Sequence, residues 1–279
     1  MMKADLHIHS TVSDGSLTME EIADRAVAKG LDAIGITDHD TVAHFDRLPQ
    51  REGLQVIPGT EISAYDRGLR CKVHILGYRI QNPECLERYV EPIRRARHKN
   101  CLRQMSILEK AGYRLPPEEI QKADGAYIYK QHIMDYLCRT GQVPDMFGEF
   151  YRKVFKNGGI CDFDIAYMDA VCAIHALKEA GGLAVLAHSG QQQNFELIPV
   201  LVREGLDGLE YDHPSNSDAD KAIIQGYAKK YRLFLTGGSD FHGRFERDSA
   251  DLGTHLSPES GIQTLFGQAS GWEMDAKAM

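Results

Sequence analysis

Near its start the chain carries Asp5-Leu6-His7-Ile8-His9. In an extended strand alternate side chains point the same way, so His7 and His9 share one face while Leu6 and Ile8 take the other. Two neutral imidazoles side by side suit a divalent metal. An isolated His-x-His is more often incidental, so its meaning depends on whether the same chemistry recurs. Asp14, in the loop Thr11-Val12-Ser13-Asp14-Gly15-Ser16, is a further candidate ligand and equally a turn former. His39 lies where the apolar run Ile34-Gly35-Ile36 passes into Asp38-His39-Asp40, a concentration of ionisable groups that is costly unless solvated or paired with a cation. Asp38 and Asp40 either orient ligands or are ordinary loop carboxylates. Glu61 follows Val56-Ile57-Pro58-Gly59-Thr60, and a carboxylate can bridge two metals as an imidazole cannot readily do. His74, embedded in Val73 and Ile75-Leu76, would by itself read as a hydrogen-bonded core histidine. His188 ends the apolar run Leu183 to Ala187, and Asp240 and His242 follow Phe234-Leu235-Thr236-Gly237-Gly238, whose glycines leave room for close approach.

These groups need elements to position them. Short apolar runs alternate with amphipathic stretches from Ala4 to Asp40, a strand-helix-strand rhythm. Thr18, three residues before Glu21, predicts a capping box at the start of a helix that Gly30 closes. Strand-like runs follow at 54–58 and 72–80. From 83 to 167 the texture turns charged and amphipathic, which predicts a helical insertion. The strand-helix alternation then returns from 168 to 260, and the stretch 261–279 reads as a weakly patterned tail. Alternation of this kind predicts a parallel sheet or barrel whose active site gathers at the C-terminal ends of the strands. Each cluster above is expected at such an end, and that shared placement outweighs the separate structural explanations.

The 279 residues carry a formal charge of -8, so the surface as a whole repels long nucleic acid. A small anion held by metal and a local basic pocket fits better. Six cysteines without a CxxC pair argue against a zinc ribbon or disulfide framework and read as reduced, mostly buried thiols. No apolar stretch approaches the length of a membrane span, and a cytoplasmic protein is expected.

Taken together, HIHSTVSDGS, GITDHD, PGTEIS, VHILGY, LAHSG and SDFHG resemble the PHP (polymerase and histidinol phosphatase) family, over nearly the whole chain from Ala4 to about Gly253. The resemblance implies a distorted (β/α)7 barrel with an inserted helical subdomain capping the active site. It implies one metal on His7, His9, Glu61 and Asp240, with Glu61 bridging to a second on His74 and His188. A third would use Asp14, His39 and His242. Two or three divalent ions (manganese, iron or zinc) are therefore expected, with Asp240, His242, Glu61 and His39 central to hydrolysis of a phosphate ester by a metal-bridging hydroxide.

Two departures bear on substrate: Ser189 stands where the family commonly has proline, and Asn216 where relatives tend to have histidine, with His213 nearby to compensate. Candidate substrate contacts are Lys130 and His132, which match an arginine and a histidine of similar enzymes, then Arg152, Lys153, Lys156, Arg244 and Arg247. The resemblance points to small phosphorylated metabolites: a nucleoside 3',5'-bisphosphate phosphatase, or alternatively a cyclic phosphodiesterase acting on 5-phosphoribosyl 1,2-cyclic phosphate. Histidinol phosphate, a non-catalytic PHP module and amide hydrolysis fit the residues less well.

Overall fold

The computed structural model describes residues 2–123, 127–245 and 250–267. Its first part contains β1 (Ala4–Ile8), α1 (Met19–Ala28), β2 (Ala33–Ile36), β3 (Gln55–Asp66) and β4 (Cys71–Tyr78). Next come α2 (Pro83–Lys110), α3 (Lys130–Arg139) and α4 (Glu149–Phe155). The chain returns through β5 (Met168–Asp169), α5 (Ala170–Glu179), β6 (Leu183–Leu186), α6 (Ser189–Gln192) and α7 (Ile198–Arg203). It continues with β7 (Gly208–Asp212), α8 (Asp218–Tyr231), β8 (Phe234–Gly237) and α9 (Glu259–Phe266). The predicted capping box is present: Thr18 and Glu21 bond each other's backbone N–H, and Gly30 follows the last turn with φ +67°.

The sheet runs β1-β2-β3-β4-β6-β7-β8, with the short β5 paired to β3. It closes back on β1 just past β8, where His9 N–H donates to the Phe241 carbonyl at 2.9 Å. The result is the distorted (β/α)7 barrel that was expected, though not a wholly parallel one. β4 runs antiparallel to both β3 and β6, because a four-residue turn rather than a helix joins β3 to β4. Glu61 and His74 consequently lie inside strands instead of at their ends. β3 pairs with β2 only as far as Pro58, and beyond it continues as an arm paired with β4. Glu61 therefore still stands at the rim of the parallel part.

Helix α2 joins the two parts of the molecule. Its start is set by Pro83 at the first helical position and by Asn82, whose side chain accepts from Cys85 N–H at 2.9 Å. Leu86, Val90 and Ile93 pack with the barrel residues Ile62, Ile75 and Leu186. Cys101, Met105 and Leu108 instead join Ile133, Leu137 and Phe155 in a second core. In packing terms the change from barrel to insertion falls within α2, between Ile93 and Cys101, rather than at residue 83. The expected tail begins inside α9, whose Ile262 and Leu265 bury against Ala4, Ala33 and Tyr78; residues 268–279 lie outside those described. All cysteines are free, but only Cys85, Cys101 and Cys161 are fully buried. No helix among the described residues is long and apolar enough to cross a membrane.

Candidate metal centre

The predicted ligands converge at one rim of the barrel, with Glu61 in the middle. Its Oε1 lies 2.7 Å from His74 Nδ1 and 2.8 Å from His188 Nε2. Its Oε2 lies 3.3 Å from His7 Nε2 and 3.2 Å from both His9 Nε2 and His39 Nδ1. Asp240 Oδ1 stands 3.4 Å from His7 Nε2 and 3.2 Å from His9 Nε2. Asp14 Oδ1 is 3.6 Å from His242 Nε2, and its Oδ2 is 3.8 Å from His39 Nε2. Four groupings among the described residues have ligand atoms close enough to share an ion: His7, His9, Glu61 and Asp240; His39, Glu61 and His74; His9, Asp14, His39 and His242; and His7, Glu210 and His213.

Backbone geometry brings these side chains together. Asp240 and His188 have φ of +52° and +24°, left-handed values that non-glycine residues adopt only when their surroundings impose them. Gly238 permits the approach of β8 to β1, since a Cβ there would sit 2.4 Å from the His7 backbone nitrogen.

The donor set fits divalent cations. His7 Nε2, both ring nitrogens of His9, His39 Nδ1 and Asp240 Oδ1 are buried without a hydrogen-bond partner. Orphans of that kind are costly unless something else satisfies them, and divalent cations held among these side chains would satisfy them. Burial opposes ionisation of Glu61, but His39, His74 and His7 around it hold its carboxyl well below the usual range. Asp14 and Asp240 are likewise held low, against burial, by His39 and His242 in the one case and by His7 and His242 in the other. Burial pushes His39 down to about 3, which keeps its lone pair available.

Glu210 was not anticipated. It lies in β7, with Oε1 2.9 Å from His7 Nδ1 and Oε2 accepting from His188 N–H at 2.8 Å, so it fixes two ring positions from behind. Its place near the end of the strand Gly208-Leu209-Glu210 obeys the same rule as the recognised clusters. Gln131 and Arg97, on insertion helices, carried no such signal.

The candidate substrate contacts separate in space. Two cavities of about 240 and about 440 Å³ adjoin the metal centre and share His39, His74, Gln131, Phe147, Tyr151 and Gln191 in their walls. Lys130 and Lys156 line the larger one together with Lys72 and Arg97, and His213 lines the smaller. The others point elsewhere. His132 is buried, and its Nδ1 accepts from Tyr129 N–H at the start of α3. Arg152 and Lys153 are exposed on α4. The Arg244 guanidinium is taken up by Asp135 and Gln121. The Asn216 amide is consumed by Gly190 N–H and by the carbonyls of Glu210 and Tyr211, so it ties loops together. Ser189 is buried and lines neither cavity. Arg247 lies outside the described residues.

A PHP-domain model matches residues 5–182. This chain belongs to the PHP family. A phosphoribosyl 1,2-cyclic phosphate 1,2-diphosphodiesterase of Eggerthella lenta is 43% identical to this PHP protein over 253 residues, covering 88% of this chain and 96% of the relative. A 3',5'-nucleoside bisphosphate phosphatase of Chromobacterium violaceum is 31% identical, covering 87% and 88%. A crystal structure assigned to a metal-dependent phosphoesterase of Bifidobacterium adolescentis superposes with a TM-score of 0.86 at 27% identity, covering 95% of each chain. The PHP chain is accordingly a metal-dependent phosphoesterase, a hydrolase of phosphoric esters.

Proposed function

We propose that this phosphoesterase hydrolyses 5-phosphoribosyl 1,2-cyclic phosphate, opening the cyclic diester and then removing the phosphate from the resulting monoester. The observation that carries this is Lys130. Its ammonium lines the larger cavity beside the metal centre, makes no ion pair among the described residues, and stands over the Phe155 ring at 5.5 Å from its centre. Burial lowers its pKa, with Asp164 opposing the shift and Lys156 and Lys72 adding to it, so an anion in the cavity would favour the charged ammonium. One phosphate on the metals and a second on Lys130 match a ribose phosphorylated at both ends. The 43% identity to the Eggerthella lenta diphosphodiesterase supports the cyclic substrate over the nucleotide.

His7, His9, Glu61 and Asp240 would hold one cation, Glu61, His74 and His188 a second, and Asp14, His39 and His242 a third. Manganese, iron and zinc all suit mixed imidazole and carboxylate donors. When bound, such ions neutralise phosphoryl oxygens and lower the pKa of water. The chain supplies the rest. Glu61 spans the first two groups through its two oxygens. His213 Nδ1 accepts from Ser215 N–H at 3.0 Å, so the ring proton sits on Nε2, 3.5 Å from Asp240 Oδ2 and beside the smaller cavity. That proton is placed for the leaving oxygen. Lys72, already paired with Asp164 at 2.8 Å, completes the distal anion site with Lys130. Six free cysteines agree with work in a reducing, cytoplasmic compartment.

A second reading, a nucleoside 3',5'-bisphosphate, is favoured by Phe147 and Tyr151, whose rings stand at the junction of the cavities where a base could stack. The deciding experiment follows phosphorus by NMR with the manganese- or zinc-loaded protein. The substrates are the cyclic ribose phosphate, adenosine 3',5'-bisphosphate and a short 5'-phosphorylated RNA. Turnover of the cyclic diester through the monoester to free phosphate is expected. Its absence alongside nucleotide turnover would replace the substrate, and preferential cleavage of RNA would overturn the small-molecule assignment.

A further inference from the structure

The groups that could hold metal differ in what supports them. Glu61, His74 and their neighbours stand on strands whose register is locked by paired backbone bonds. Asp14 stands on a loop and His39 just beyond β2, bridged to Glu61 through the backbone, and the insertion reaches across to touch both. Gln131 Nε2 donates to Asp14 Oδ2 at 2.7 Å. The Tyr129 hydroxyl donates to the His39 carbonyl at 3.1 Å. Of these two contacts only Gln131 touches a carboxylate of the group, and its side chain lines both cavities.

We infer that Gln131 is a positioning residue for the third cation, setting the affinity of the Asp14, His39 and His242 group from the insertion. This rests on the three-cation assignment made above. The Asp14 carboxylate has few other restraints: Ser13 donates to Oδ1 at 3.1 Å, and the facing imidazoles stand 3.6 to 3.8 Å away. The Gln131 amide holds Oδ2, fixes the plane of the carboxylate and leaves Oδ1 turned toward His9 and His242. Side chains that orient a metal ligand in this way are worth about 10 to 100-fold in metal affinity. Because Gln131 directly follows Lys130 at the start of α3, the residue proposed for the distal phosphate and the residue that orients Asp14 move as one rigid piece.

The test is titration of manganese into the metal-free protein by calorimetry, with metal per chain counted by mass spectrometry after desalting. The metal titration itself involves no substrate. Wild type should take up three equivalents. Gln131→Met, which keeps length and removes the donor, should weaken one class of site about 10 to 100-fold and leave two equivalents unchanged. Its metal-free melting temperature should match wild type. Should Gln131→Met fail to fold, Gln131→Asn, which keeps the amide on a shorter stem, carries the same test with the same expected loss. Lys130→Met is the companion: it should raise KM and leave all three classes intact, so an unaltered KM would count against the distal phosphate site alone. Three equivalents at wild-type affinity in Gln131→Met would overturn the role of Gln131, and so would a wild type that saturates at two.

Discussion

The ligands on the barrel and those reached by the insertion have the same chemistry and opposite mechanical support. His7, Glu61, His74 and His188 lie on or just beyond strands, backed by Glu210 and by ladders that leave each backbone little freedom. Asp14 lies on a loop held by Gln131 of α3, and His39 follows β2, bridged to Glu61 through the backbone and held by the Tyr129 hydroxyl just before α3. Next to His39, Asp40 has φ +53° and is clamped twice: Arg94 donates to its carbonyl at 2.8 Å, and Arg97 pairs with its carboxylate at 2.8 Å. The bridging Glu61 is thus held from within the barrel, whereas the Gln131 contact to Asp14 requires the two parts to stay docked.

The strongest way to break that contrast is to damage its fixed side. Glu61→Gln should lower phosphate release beyond the about 10³-fold that loss of one electrostatic stabiliser costs, with the far-UV circular dichroism spectrum unchanged; retained turnover would mean Glu61 is not the bridge. On the dependent side, Arg97→Met strands the fully buried Asp40 carboxylate, and urea unfolding should show about 3–5 kcal/mol of lost stability. A loss confined to a few tenths would show that α2 does not clamp this loop.

A pH titration sharpens the comparison further. Burial pushes His132, in the insertion, down to about 4. Between pH 6.5 and 4 the unfolded chain takes up a proton that the folded one refuses, so stability falls as pH drops through that window, by about 3 kcal/mol in total. Comparing urea midpoints of wild type and His132→Asn from pH 7 to 4 checks this, since the variant should lose that part of the slope. The smallest effect belongs to a region that serves neither cluster. Thr18→Ala removes the cap of α1 and should cost about 1 kcal/mol without changing activity.

The pattern of residues by itself established the strand-bound chemistry. Side chains alternate along a strand, so His7 and His9 had to share a face. A histidine or carboxylate closing an apolar run is legible because burial of such a group needs a reason. Glu210 is equally legible by that rule, near the end of the strand Gly208-Leu209-Glu210. The capping box at Thr18 and Glu21 was local in the same sense.

What tertiary structure alone decided were the contacts with no sequence period behind them. Gln131 meets Asp14 across 117 positions and Arg97 meets Asp40 across 57, distances over which composition and spacing carry no information. The antiparallel turn of β4, which puts His74 inside a strand and still against Glu61, depends on pairing with β3 and β6 rather than on its own residues. The fates of the basic candidates were also set by neighbours: Asp135 draws Arg244 away from the site, while Lys130, which forms no ion pair among the described residues because Asp164 is taken by Lys72, is left lining the cavity. A single lysine and a single arginine look alike in a sequence, and only the charges packed around them show which one remains open to an anion.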